Sequence, residues 1–546
     1  MDKHWYKNAI IYSLDIEAFM DSNDDGIGDF PGLMARLPYL SELGINCVWL
    51  LPFYDSPNKD DGYDVRNYFE VDKRLGDLGH FTEFVNAATK VGIRILIDLV
   101  VNHTSEEHFW FKEAVKDKAS KYWDFYVWAN EKPENDAEFL IFGKDQGNSN
   151  WEYHKEAKTW YYHTFYQDQP DLNMTNPEVQ EEVFRIVDFW LKLGISGFRN
   201  DAAPHMIREK GNHKFDNDPH DIFRRLRKYI SEKNPEAVLL AEVDVEVDEY
   251  MNFFGKNDQM HMLFNFYINN YLFLTFARER ATPLINALHQ LPELSYDEQM
   301  VNFLRNHDEL DLERLSPAER EEVFKVFAPE EDMRIFDRGI RRRLAPMFKN
   351  DFQKLEMAYS LLLTLPGTPV LRYGQELGMG EDLTKEGRKS VRTVMQWTAE
   401  KNGGFSNAPT KKLAQGIITK GSSSYKNINA KAQSLAPESL LNWMIKAIWV
   451  RKKLHEIGTG KYEILKVNSD KVIAMHYKSE SSLVLILHNF SNEAVTVKVD
   501  LKDQEGYLNI FGNVNYENYT SENDLELTAY GYRWMKKRIL IKKINQ

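Results

Sequence analysis

A single cysteine, Cys47, stands in 546 residues. That excludes an intrachain disulfide and a zinc site built from several thiolates. Long apolar runs are missing too. The longest, such as Leu361-Leu362-Leu363, fall far short of the about 20 residues that cross a bilayer. Positive charge is in deficit: 69 Lys and Arg against 83 Asp and Glu leave −14. Phosphate binding is driven by clustered positive charge, so neither nucleic acid nor a membrane is an expected partner. Arg341-Arg342-Arg343 and Lys536-Lys537-Arg538 read as solvated faces or local ion-pair donors. Met1-Asp2-Lys3-His4-Trp5 opens no apolar h-region, so no secretory leader and a cytoplasmic location are expected.

What is present is ordinary globular material. Apolar residues make up 43% and charged residues 28%, enough to bury a large core. At ~150 residues per domain the length suggests three to four domains, one large barrel counting as an exception. Eight short apolar runs alternate with helical patterns: Ala9–Asp15, Asn46–Leu51, Arg94–Val101, Gly197–Asp201, Ala237–Val243, Met260–Phe266, Gln299–Asn306 and Pro369–Gly374. Most are continuous rather than alternating, as parallel strands covered on both faces are. Helical patterns lie between them at Gly32–Leu43, Phe81–Val91, Val179–Leu193 and Pro219–Glu232. The expectation is an α/β fold, a (β/α)8 TIM barrel, with a doubly wound open sheet as the alternative.

Two stretches break the rhythm. Thr104–Asn176 follows the third strand and holds five of the twelve tryptophans: Trp110, Trp123, Trp128, Trp151 and Trp160. A connection that long reads as an inserted small domain or a lid. The second break, Leu310–Asn350, is charged and reads as helical. From about Gly460, short strand patterns at Tyr462–Leu465, Val472–Tyr477, Leu483–Asn489, Val495–Leu501 and Leu525–Thr528 predict an antiparallel β-sandwich. The expected division is barrel over 1–103, insertion over 104–176, barrel again over 177–455 with a helical insertion near 310–350, and a C-terminal sandwich over 456–546.

Charged and imidazole groups stand at the ends of four predicted strands. They are Asp98-Leu-Val-Val-Asn102-His103, Gly197-Phe198-Arg199-Asn200-Asp201, Ala241-Glu242 and Arg305-Asn306-His307-Asp308-Glu309. Any one of these acids could simply cap the next helix. Four at one rim of a closed barrel point to a shared pocket. Crowded acids cannot all stay ionised, so one is pushed to a raised pKa. A retaining glycosidase needs this division: one ionised carboxylate and one protonated carboxyl ~5–5.5 Å apart. Arg199, two residues before Asp201, shares its side of the strand and is expected to hold that acid ionised and low in pKa. Glu242, beside Ala241, is the natural proton donor.

A second pattern is Asp21-Ser-Asn23-Asp24-Asp25-Gly26-Ile27-Gly28-Asp29. Oxygen ligands at alternate positions with glycine sixth match the first nine residues of a calcium loop. Asp21, Asn23, Asp25 and Asp29 are the expected side-chain ligands, and Ile27 contributes its carbonyl. Position twelve is Gly32, so this is no EF-hand pair. A solvated acidic turn is the alternative. A dinucleotide loop is rejected, because the acids would repel a pyrophosphate.

The four strand-end motifs, in this order, resemble the α-amylase family of glycoside hydrolases. Gln169-Pro-Asp171-Leu-Asn173, at the end of the insertion, is a further element of that pattern. The resemblance covers nearly the whole chain. It implies Asp201 as nucleophile, Glu242 as general acid/base and Asp308 as the third carboxylate. It implies that His103 and His307 grip sugar hydroxyls, that Tyr63 and Asp64 form a platform and a polar wall, and that Phe165 faces the pocket. Within the family the chain looks most like the trehalose synthases and their relatives, through Trp49–Asp55, His163–Tyr166, Phe303–Leu310, Gly339–Pro346 and Arg392-Thr-Val-Met-Gln-Trp397. Arg392 would be a further sugar-pocket cation. Isomerisation of maltose to trehalose through a covalent glucosyl intermediate is the implied activity, with an α-glucosidase or amylase-type hydrolase and a silent sugar-binding subunit as alternatives. The implied partner is a small α-glucoside: maltose, trehalose or a short α-glucan. Calcium is structural, no organic cofactor is implied, and a second cation near Asn102 and Asp171 follows by analogy. Homo-oligomerisation is left open. Departures from the pattern are Asn200 for an apolar residue, Gln375 for an aspartate, Val394 for a proline, and the opening Asp15-Ile16-Glu17.

Overall fold

The computed structural model describes residues 2–137, 140–142, 147–501, 506–518 and 524–539. Eight parallel strands close into a barrel: β1 Ile11–Leu14, β2 Cys47–Leu50, β3 Arg94–Leu99, β4 Gly197–Asn200, β5 Val238–Ala241, β6 Met262–Phe264, β7 Gln299–Phe303 and β8 Thr368–Arg372. Ladder pairs run from Ile11↔Cys47 round to Ile11↔Val370, which seals the cylinder. Every one of the eight expected strands forms.

Alternation along each strand divides two cores. Ile11, Trp49, Leu96, Leu240, Met262, Val301 and Val370 fill the interior. Tyr12, Val48, Ile97, Phe198, Leu239 and Leu371 face the outer helices. Both faces are dry, so the strands read as continuous apolar runs. Cys47 is buried in the interior and burial pushes its thiol pKa upward, which makes it an inert core residue.

Some elements differ from expectation. The pattern Gly32–Leu43 is two helices, Phe30–Ala35 and Leu37–Leu43, parted at Arg36 because Pro38 starts a new first turn. The charged stretch after β7 is only partly helical. Its helix Pro317–Phe327 starts with a Ser316/Glu319 capping box, but Leu310–Asp311, Arg334–Ile335 and Gly339–Ile340 form a small sheet. In the insertion, Trp128–Ala129, Trp151–His154 and Thr159–Tyr162 form a three-stranded sheet. Trp123 and Trp128 stack at 4.2 Å and pack on the core, as expected of structural aromatics.

The C-terminal part holds a five-stranded antiparallel sheet and a two-stranded one. One face of the larger sheet, with Ile473, Met475, Ile486 and Trp534, joins the barrel's outer core. The other, with Ala474, Leu485, Leu487 and Met535, packs with Val497 and Leu525 of the smaller sheet. Two of its strands, Leu508–Gly512 and Tyr532–Arg538, lack a clear pattern in the sequence. The basic run Lys536-Lys537-Arg538 is the end of the second of these, paired with Ser482–Val484. Among the described residues no helix is long and apolar enough to cross a membrane.

Candidate active site

The barrel carries Asp98 within β3 and Arg199 within β4. Asp201, Glu242 and Asp308 follow the ends of β4, β5 and β7. Short parallel strands therefore deliver four acids to one rim. Arg199, 2% exposed, ties three of them together. Its Nη1 pairs with Asp201 and, at 3.1 Å, with Asp98; its Nη2 lies 2.7 Å from Glu242 Oε2. The Ala202 amide donates to the same Glu242 oxygen at 3.1 Å. Trp49 and Tyr63 donate to Asp98 at 3.1 and 3.2 Å.

Burial pushes Glu242 up to about 7 and Asp201 to about 6, against the pull of Arg199. The expectation of a low Asp201 pKa is overturned. One guanidinium shared among three acids does not offset the loss of water around each. Asp308 behaves differently. Burial raises it, but His307 at 3.0 Å and the guanidiniums of Arg388 and Arg392, each at 2.7 Å, hold it well below the usual carboxylate range.

Asp201, Glu242 and Asp308 line one cavity of about 180 Å³ together with Tyr63, His103 and Phe165. Tyr63 stacks parallel to His307 and bonds its Nε2 at 2.8 Å. Arg199, His307 and Arg392 stand behind this wall and orient it. Arg392 donates to the His307 carbonyl at 2.9 Å and pairs with Asp61. Like Arg199, His307 and Arg392, which were also expected to meet the sugar, Asp64 does not line the pocket. It is fully buried and accepts from Ser56 Oγ and the amides of Lys59 and Asp60, so it folds the turn that carries Tyr63 instead of forming a polar wall.

The second-cation expectation is also corrected. The buried Lys210 ammonium lies 2.7 Å from both Asn102 Oδ1 and Asp171 Oδ2. A fixed positive charge of the chain already fills the position between those two groups. Asn200 is fully buried, and neither end of its amide finds a partner among the described residues.

Several pocket residues escaped the sequence reading. Arg388 bridges Asp308 and Asp60, and its guanidinium lies 4.8 Å from the Phe142 ring. Phe142 of the insertion packs on Phe336 of the segment after β7 at 5.2 Å, and Arg338 donates to the Ile141 carbonyl at 2.9 Å. The two insertions thus meet over the pocket. The only local hint was the four-residue spacing of Arg388 and Arg392; nothing local joins Phe142 to Phe336.

In the loop Asp21–Asp29, the side-chain oxygens of Asp21, Asn23 and Asp25 accept backbone amides within the loop, which bends it into successive Asx turns. Gly26 has φ +100°, and a Cβ there would meet the Lys412 carbonyl at 2.3 Å, so glycine is required. Both properties suit a calcium loop. Asp29 departs from the expected set. Its two oxygens cap helix Phe30–Ala35 through Gly32 and hold Ser22.

The α-amylase catalytic domain family matches residues 13–326 and 336–460 of this chain, and the sucrose hydrolase-like C-terminal domain family matches residues 482–536. The chain belongs to the α-amylase family, whose members are enzymes. It is similar to a trehalose synthase of Thermus thermophilus, 39% identical over 93% of this chain, and spans about half, 52%, of that relative's length. It is also similar to the trehalose synthase/amylase TreS of Mycolicibacterium smegmatis, 37% identical over 98% of this chain and 93% of the relative. Among solved structures, an α-amylase from H. orenii superimposes with a TM-score of 0.80 at 27% identity, covering 98% of this chain and all of that one.

Proposed function

We propose that this protein is a retaining α-glucoside enzyme that isomerises maltose to trehalose by moving a glucosyl unit within a closed pocket. The observation that carries the reading is that pocket. Its wall contributes Asp201, Glu242 and Asp308, and its roof comes from two insertions.

Glu242, with its raised pKa, protonates the glycosidic oxygen while Asp201 attacks the anomeric carbon. The bond to the leaving glucose breaks and a glucosyl ester forms on Asp201. The freed glucose turns in place, Glu242 takes the proton of its anomeric hydroxyl, and that oxygen displaces Asp201 from the same face. Two inversions retain the α configuration. Asp308, kept ionised by its arginines, accepts hydrogen bonds from sugar hydroxyls. Tyr63, His103 and Phe165 bound the ring, and Arg199, His307 and Arg392 position the acids. Exclusion of water protects the ester from hydrolysis.

A maltose time course that resolves trehalose from glucose tests the proposal. Trehalose as the main early product is expected; mostly free glucose would assign the same acids to a hydrolase. We also propose a structural calcium held by Asp21, Asn23, Asp25 and the Ile27 carbonyl, so chelation lowers the melting temperature. A cytoplasmic location is our reading of the single, buried thiol, and cell fractionation checks it.

A further inference from the structure

A second cleft, of about 320 Å³, lies outside the barrel between helices Leu37–Leu43 and Leu440–Arg451. It shares no lining residue with the reaction pocket. Part of its wall is apolar, where the buried Leu43, Trp397 and Leu441 line it. Arg36 stands beside this wall, its guanidinium 4.2 Å from the Trp397 ring. Stacking on an indole fixes the plane of the fork. Much of the fork is unfilled. Its Nε is buried with no partner, and its Nη2 reaches the Met20 thioether, a weak acceptor, at 3.3 Å. Burial lowers the pKa of this guanidinium.

Lys431 lines the same cleft. Among the described residues no carboxylate lies within 4.0 Å of either cation. Glu42, exposed on the same cleft, pairs with no base within that distance, so it tempers the local field without filling either cation. A half-buried guanidinium with open N–H groups gains most from a charge-assisted, bidentate acceptor. Two cations in one cleft favour a dianionic head over a single negative charge.

The remaining polar groups suit a hydroxylated body. Thr398 Oγ1 accepts from the Glu400 amide at 3.1 Å, which leaves its O–H to donate. Asn442 gives its side-chain N–H groups to the Gln433 and Ala436 carbonyls at 3.0 and 2.8 Å, which leaves its oxygen to accept. Both residues line the cleft.

We propose that this cleft binds the phosphate monoester of a small sugar, with the phosphate on Arg36 and Lys431 and the sugar hydroxyls on Thr398 and Asn442. Trp397 acts by holding the Arg36 fork flat.

Calorimetric titration of the full chain with glucose 6-phosphate, at constant ionic strength, tests this. One saturable site per chain is expected, with a matching rise in melting temperature. Arg36→Gln should weaken binding about ten-fold or more. Lys431→Gln, at an exposed position that folding does not depend on, should weaken it several-fold, and Glu42→Gln should tighten it. Inorganic phosphate should bind the same site more weakly, and Thr398→Val should narrow that gap. Soaked crystals should show the ester beside Arg36 and Lys431. No saturable binding, or binding that Arg36→Gln and Lys431→Gln leave unchanged, would overturn the proposal. Equal affinity for inorganic phosphate would overturn the sugar assignment. No arm uses turnover, so the outcome is independent of the reaction proposed for the barrel pocket.

Discussion

Asp21, Asp24, Asp25 and Asp29 crowd one loop, whereas Asp98, Asp201, Glu242 and Asp308 come from four separate strand ends. The chemistry of the residues is the same and the outcomes differ. In the loop, backbone amides take the carboxylate oxygens locally, and Asn23, Asp24 and Asp25 face solvent. At the barrel mouth three of the four acids share one guanidinium, and burial outweighs its pull, so Asp201 and Glu242 are pushed to about 6 and about 7. Acids crowded along the sequence make a turn; acids crowded by the tertiary structure make a pair bridged by one arginine. The loop acids find their partners among neighbouring backbone amides, whereas Asp98 and Glu242 depend on a partner from another strand.

Substitutions can break this contrast. Asp201→Asn is expected to cut turnover by roughly 10⁴-fold or more with native circular dichroism, because the whole covalent step goes with it. Asp24→Asn in the loop should leave kcat within about two-fold, as befits a surface change. Equal losses in the two variants, read by maltose consumption, would erase the distinction.

The next effect is on stability. Lys210→Met strands the buried Asp171 carboxylate and should cost about 3–5 kcal/mol, read by denaturant unfolding. Adding Asp171→Asn should recover part of that loss. If the single variant behaves like a surface lysine, the ammonium is no substitute for a cation there.

The pH dependence sharpens the comparison. Activity should rise as pH passes about 6, where Asp201 ionises, and fall past about 7, where Glu242 loses its proton. For stability the sign is the reverse of the usual salt-bridged acid. The folded pKa of Glu242 is raised, so its contribution is full below its ordinary 4.5 and is lost as pH climbs through about 7. Glu242→Gln should therefore gain stability over wild type above pH 7, by up to roughly 3 kcal/mol, with no gain near pH 4. The smallest effect belongs to the loop. Asp21→Ala removes the Asx turns around Gly26 and should cost about 1 kcal/mol, a melting shift of a few degrees. Chelation should leave that variant's melting temperature unchanged while lowering that of the wild type.

Much of this was legible in the chain itself. The eight barrel strands were readable because both faces of a parallel strand are buried, which leaves continuous apolar runs. The acids at their ends were readable because a strand that stops at the rim exchanges apolar residues for polar ones within one or two positions. Tyr532–Arg538 was not legible, because its basic end, Lys536 to Arg538, carries no apolar alternation and is placed only by pairing with Ser482–Val484. Asp64 and Asp29 were misjudged because the amides they accept depend on turn geometry, which residue type does not encode.

Local residue order determined the strand count, the acids and the glycine that bends the Asp21 loop, since each rests on spacing along the backbone. Tertiary structure alone decided that Lys210 answers Asp171, that Phe142 meets Phe336, and that Arg36 and Lys431 share a cleft with no acid paired to either. Those pairings depend on distances across the fold, and burial, which sets the strength of a charge, exists only once the chain has closed on itself.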